Sequence, residues 1–222
     1  MTFLANANVS KKIGAAFTII VGVVTITCAS AFGSLISIKS AISANQNSVA
    51  EVNMAKAGVL GDSRRVELID GEIIDMAAIG SPHAAVTNRL ARLFTRALRD
   101  ETALVNVQSP LRLDVDNEPQ PDITLLRSRH DDYRESHPTA AEGLLLVEVS
   151  EASLAYDRGI KLALYARSGV PEAWIVDLVG LAVEVYREPK DGAYASRERL
   201  VQGSLSPIGV VGVTVDVAGI LG

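Results

Sequence analysis

The sequence predicts an α/β fold: a mixed β-sheet flanked by helices, with an N-terminal β-hairpin and a separate N-terminal hydrophobic helix. Three observations carry this. Short β-like runs alternate with two segments of helical apolar spacing, which is the signature of a sheet with helices packed on it. Leu144–Val149 is an almost continuous apolar run, as expected of a central strand buried on both faces. Ile13–Ile38 carries no charge at all, unlike any other stretch of the chain.

Taken in order, the N-terminal stretch comes first. Lys11-Lys12 precede about 26 uncharged residues, 13–38, enough to cross a bilayer core of roughly 30 Å. A membrane helix is the favoured reading. A signal peptide ending near Ala29-Ser30-Ala31 and a buried soluble helix are the competing ones. Residues 1–57 are therefore read as an anchor and linker, and 58–222 as the functional domain. Asn8–Ser40 resembles the first membrane segment of bacterial chemoreceptors.

From Arg64 the pattern turns to β. Asp70-Gly71 between two apolar runs predicts a tight hairpin. Ser81-Pro82 predicts a helix start, with Ser81 as cap and Pro82 in the first turn. Val86, Leu90, Leu93, Phe94 and Ala97 give that helix one buried face, while Arg89, Arg92, Arg96 and Arg99 are read as a solvated face. Leu104–Gln108 and Leu111–Asp114 read as a strand interrupted by Pro110, Glu118–Pro121 as a turn, and Asp122–Leu126 as the next strand. Arg127–Glu142 is polar and reads as a surface loop with His130 and His137 exposed. After the Leu144–Val149 strand, Leu154–Ser168 is a helix stopped by Gly169 and Pro171. Ala173–Asp177, Leu181–Tyr186 (half-exposed by its alternation) and Tyr194–Leu200 come next as strands, and Leu205–Leu221 as an apolar cap.

Composition narrows the chemistry. The 222 residues are 48% hydrophobic and 21% charged, which is globular. A lone Cys28 excludes an intramolecular disulfide and a cysteine zinc site. Three scattered histidines leave carboxylates as the main candidate metal ligands, which favours Mg²⁺ or Mn²⁺. The net charge is −5; setting aside the three lysines and one glutamate of residues 1–53 leaves 18 basic and 25 acidic residues, a net of −7. That balance runs against a simple non-specific nucleic-acid binder.

The informative residue is Glu148. A carboxylate inside a buried strand is costly unless it is paired or bound to a metal. Asp122 succeeds the rigid Pro121 at a strand start. Lys161 lies on the helix after the Glu148 strand, and Asp157, Lys161 and Tyr165 share a helical face. Two carboxylates and an amine in this order suit activation of a water by a carboxylate-held divalent cation. Glu67 and Glu72 on the hairpin are read as solvent-facing, with an extra acidic group as the alternative.

These residues carry a family resemblance. Glu67-Leu-Ile-Asp-Gly-Glu72, Pro119-Gln-Pro-Asp122, Leu146-Val-Glu-Val-Ser150, Tyr156-Asp-Arg-Gly-Ile-Lys161 and Gly169-Val-Pro-Glu-Ala-Trp-Ile-Val-Asp177 closely resemble the Uma-two family of the restriction-endonuclease-like fold. The resemblance runs over about residues 64–221. It implies a metal-dependent endonuclease with Asp122 and Glu148 as metal ligands, Lys161 as catalytic lysine, Mg²⁺ or Mn²⁺ as cofactor, and nucleic acid, DNA first, as partner. It also raises a homodimer as an assembly. One departure stands out: the lysine expected two residues after Glu148 is Ser150, so Lys161 would replace it from the helix. A catalytically silent binding module and a membrane-anchored sensor or fusion are the alternatives. Localisation stays open, because Lys11-Lys12 favour an inside N-terminus and hence an outside nuclease domain. A fusion, or a start nearer Met54, would remove that conflict.

Overall fold

The computed structural model describes residues 65–98 and 103–222. The expected membrane helix at 13–38, the signal-peptide and chemoreceptor readings, Cys28, Met54 and Arg99 all lie outside these residues. Among the described residues no helix is long and apolar enough to cross a membrane.

A hairpin opens the fold. β1 (Val66–Ile69) and β2 (Glu72–Asp75) pair antiparallel around Asp70-Gly71. Both turn residues have positive φ, 50° and 79°, so the glycine is what makes the tight turn inexpensive. The next element is α1 (Ser81–Ala97). Its cap is Gly80, not Ser81, because Ser81 already has helical geometry and makes no capping bond. Val86, Leu90 and Phe94 are buried as expected; Arg92 and Arg96 are exposed. Arg89 instead donates to the Ile220 carbonyl at 2.8 Å, tying α1 to the C-terminus.

Among the described residues the central sheet has six strands in chain order: β3 (Ala103–Val107), β4 (Ile123–Arg127), β5 (Gly143–Ser150), β6 (Glu172–Asp177), β7 (Ala182–Lys190) and β8 (Ala193–Leu200). All neighbours are antiparallel except β5–β6. A parallel pair needs a crossover, and the chain between them supplies one. It is a single helical run, α2, made of Leu154–Tyr156, a π-turn over Asp157–Lys161, and Leu162–Arg167. Gly169, at φ 77°, ends it in a Schellman arrangement: Val170 N–H reaches Tyr165 O and Gly169 N–H reaches Ala166 O, both at 3.1 Å.

The two-residue period of β5 sorts the core. Leu145, Val147 and Val149 join the cluster built on Val86, Leu90, Phe94 and Trp174. Leu146 joins the opposite cluster with Leu164, Tyr165 and Ile175. Phe94 and Trp174 meet with ring centroids 5.9 Å apart. The C-terminal cap closes the α1 side: β9 (Ser204–Leu205), β10 (Val215–Asp216) and α3 (Val217–Leu221) bury Val215, Val217 and Ile220.

Three expectations need correcting. Residues 111–114 form no strand; Arg112 makes only an isolated bridge to Thr139. Glu118–Pro121 is not a free turn, since Glu118 pairs with Leu68 and is drawn onto the hairpin. The first half of β7 is fully buried, although its alternation suggested a half-exposed strand. The reason is Glu184: it is wholly buried yet receives Arg158 at 3.0 and 2.7 Å, Arg197 at 3.0 Å and Tyr186 Oη at 2.6 Å. Read as polar in the sequence, it is a paired core residue.

Burial would raise the Glu184 pKa, but the bonds from Arg158, Tyr186 and Arg197 and the Arg158 charge win and hold it at about 2. A depressed carboxyl pKa stabilises the fold above the unfolded value of about 4.3 and loses that contribution as pH falls through the folded one. Glu184→Gln should therefore cost on the order of 3 kcal/mol at neutral pH. In urea titrations at a series of pH values, the gap to wild type should close between about pH 5 and pH 2.

Candidate active site

The second face of β5 carries the polar residues. After Leu146, the alternation directs Glu148 and Ser150 toward α2. Glu148, Lys161 and Glu67 are buried, at 5%, 4% and 2% exposure. Lys161 Nζ donates to Glu67 Oε1 at 2.8 Å and to Glu148 Oε1 at 3.2 Å. Tyr165, four residues on, donates its hydroxyl to the same Glu148 oxygen. Glu67 Oε1 also receives the Gln120 backbone N–H at 2.7 Å, which joins the hairpin to the segment leading into β4.

The π-turn sets this geometry. A π-turn inserts one extra residue into a helix and rotates the residues beyond it. Its start is fixed by Asp157, whose Oδ2 accepts Ser150 Oγ at 2.7 Å and Ser153 Oγ at 2.6 Å. On the other side Arg158 reaches Glu184 and Asp177. Asp157 and Lys161 are thus both buried on the sheet side, and Tyr165 continues the same face as the spacing predicted. Ser150, which stands where a lysine was expected, anchors the turn that presents Lys161.

Asp122 sits just before β4. Its Oδ2 accepts the Val149 backbone N–H and His83 Nε2, both at 2.9 Å, and its Oδ1 accepts Gln108 Nε2 at 2.9 Å. Asp122, Glu148 and Lys161 line one cavity of about 330 Å³. Its wall includes six carboxylates: Glu67, Asp75, Asp122, Glu148, Glu151 and Asp157. The cavity thus concentrates acid around one buried ammonium.

That crowding governs the electrostatics. Burial pushes the Glu148 carboxyl well up, and Asp157, Asp122 and Glu67 push the same way against Lys161. Burial alone would lower the Lys161 ammonium, but Glu148 and Glu67 outweigh it and hold it above the ordinary lysine value. Burial and the Glu148 charge keep the Tyr165 hydroxyl protonated. Asp122 resists its own burial through His83, Gln108 and Val149 and lies below the usual carboxylate range.

The donor set suits a hard divalent cation: it is all oxygen and rich in carboxylate. Among the described residues, however, no group of three or more His, Cys, Asp or Glu side chains is arranged to hold one. Two carboxylates, Asp122 and Glu148, remain the candidates.

Asp122, Glu148 and Lys161 thus share one cavity, while other residues lie differently from expectation. Glu67, expected to face solvent, is a buried partner of Lys161, while Glu72 is exposed as expected. His83 and Gln108, which hold Asp122, were not singled out. His130 and His137 are exposed, as expected.

Lys161→Met would leave Glu67 and Glu148 buried without their cation. A loss of roughly 3 kcal/mol in urea unfolding is expected. Adding Glu148→Gln should recover part of it, because the two residues are coupled.

Comparison with known proteins gives a family and a fold. No curated protein sequence matches the chain. In fold it is similar to a solved structure described as a putative nuclease belonging to DUF820 from Anabaena variabilis ATCC 29413. That likeness has a TM-score of 0.58 at 15% identity and covers 71% of this chain and 90% of the other. Neither comparison supports the chemoreceptor-type anchor or a homodimer. The family model described as "Uma2: Putative restriction endonuclease" matches residues 54–218, and the chain therefore belongs to the Uma2 family.

Proposed function

We propose that residues 58–222 form a metal-dependent endonuclease domain that hydrolyses phosphodiester bonds, in DNA first of all. Family membership supports the nuclease class and, with it, nucleic acid as partner. The observation that carries the residue assignment is the buried Lys161 ammonium, within 3.2 Å of Glu148 and on the same cavity as Asp122.

In this reading Asp122 and Glu148 hold a Mg²⁺ or Mn²⁺ ion. When bound, such an ion supplies an acidic water and offsets charge on the phosphate. The chain's own residues do the rest. Lys161, kept cationic by Glu67 and Glu148, serves as a fixed positive charge and hydrogen-bond donor; an ammonium held in that state is not a base. Tyr165 fixes the rotamer of Glu148 by donating to it. Gln108 and the Val149 N–H orient Asp122, and Ser150 with Ser153 sets the turn that carries Lys161.

A second reading is a binding module without catalysis. It is favoured by the three hydrogen bonds that Asp122 already accepts, from His83, Gln108 and Val149. Plasmid nicking separates the two. The full-length chain should cut supercoiled plasmid with Mg²⁺ or Mn²⁺ and not in EDTA. Asp122→Asn and Glu148→Gln should each lower the rate by at least about 100-fold, as loss of a principal electrostatic group does. Cutting that survives both substitutions removes the assigned site, and an inactive wild type with every metal leaves the binding module.

A further inference from the structure

The cavity holds an unanswered set of donors. Among the described residues, four buried side-chain polar atoms have no hydrogen-bond partner: Arg65 Nη2, His83 Nδ1, Tyr156 Oη and Thr87 Oγ1. Three of the four belong to residues that line this one cavity. Buried polar atoms are almost always satisfied, so three unpartnered ones on residues lining one concave site point to a missing partner. His83 is already committed to Asp122 through its other nitrogen. That leaves the Arg65 guanidinium and the Tyr156 hydroxyl, both donors at neutral pH.

We propose that Arg65 and Tyr156 form a cradle for a phosphate oxygen of a nucleic-acid strand, beside the carboxylates. This rests on the nuclease reading and adds the residues that position the substrate. The charge distribution favours such a cradle. Six carboxylates repel a phosphodiester, and the Lys161 ammonium is engaged by Glu67 and Glu148. Among the described residues Arg65 is the other permanent cation lining the cavity, and one of its guanidinium nitrogens has no hydrogen-bond partner. A planar guanidinium is well suited to a phosphate, and its bonds to an anion are stronger than neutral ones. Arg65 enters from the start of β1 and Tyr156 from the first turn of α2.

Binding in EDTA isolates this cradle from catalysis. Fluorescence anisotropy of a short labelled DNA duplex with the full-length chain is the readout, with inorganic phosphate as competitor. Arg65→Ala should weaken binding about 10-fold and reduce the salt slope by roughly one. Arg65→Lys should keep the slope and lose affinity, and Tyr156→Phe should weaken binding about fivefold with no change in slope. Arg65→Lys and Tyr156→Phe keep the stems of both side chains, so they report even if Arg65→Ala fails to fold. Competition by millimolar phosphate would show that the shared phosphate chemistry is read; its absence with intact duplex binding would place recognition on the strand.

Wild-type affinity in Arg65→Lys and Tyr156→Phe would overturn the cradle, as would a wild type that binds neither duplex nor phosphate. The nuclease reading fails separately. If Arg65 and Tyr156 variants lose DNA while wild type cuts nothing with Mn²⁺, the cradle stands without catalysis. If wild type cuts and Asp122→Asn does not, yet the Arg65 and Tyr156 variants bind and cut normally, only the cradle falls.

Discussion

The Lys161 ammonium, buried between Glu67 and Glu148, is the interaction on which the rest of the structure depends. It joins three pieces of chain that also share an apolar cluster: the hairpin, the central strand and the crossover helix. Glu67 and Lys161 are 94 residues apart in sequence. An unpaired charge in this position would be costly, so each partner constrains the other two. The supporting contacts, Tyr165 on Glu148 and Gln120 on Glu67, converge on the same oxygens that Lys161 meets and turn a tolerated ion pair into a fixed one.

This arrangement changes the meaning of the acidic balance. Counted over the chain, an excess of carboxylates speaks against a nucleic-acid partner. Placed in the structure, six of them line one cavity, where they favour a cation over bare phosphate. Other acids are neutralised elsewhere: Glu184 by Arg158 and Arg197, and Glu172 by Arg187, with a hydrogen bond from the Trp174 indole besides. Net charge described the bulk and missed where the charge sits.

What the sequence made legible was periodic or local. The Leu144–Val149 run announced a central strand, and an acid inside it announced a site, because burial of a lone carboxylate is expensive. Asp70-Gly71 announced the hairpin because few residues accept positive φ twice in succession. The spacing of Asp157, Lys161 and Tyr165 gave one helical face, and a π-turn preserved it. Glu67 was not legible in the same way. In a short hairpin an acid can face water or core, and only the distant Lys161 decides which. His83 and Gln108 were hidden for the same reason: each meets Asp122 through tertiary packing, 39 and 14 residues away. Glu184 looked like the polar half of an alternating strand until its arginines, from α2 and β8, were in place.

The central claim is that Asp122 and Glu148, beside the Lys161 ammonium, form a cation site. Crystals of the full-length chain grown with Mn²⁺ test it most directly, through the anomalous signal of the metal. The account predicts a peak bonded to carboxylate oxygens of both Asp122 and Glu148, with Lys161 still paired to Glu67. A cavity with no peak at saturating Mn²⁺, or a peak held by other residues, would contradict it.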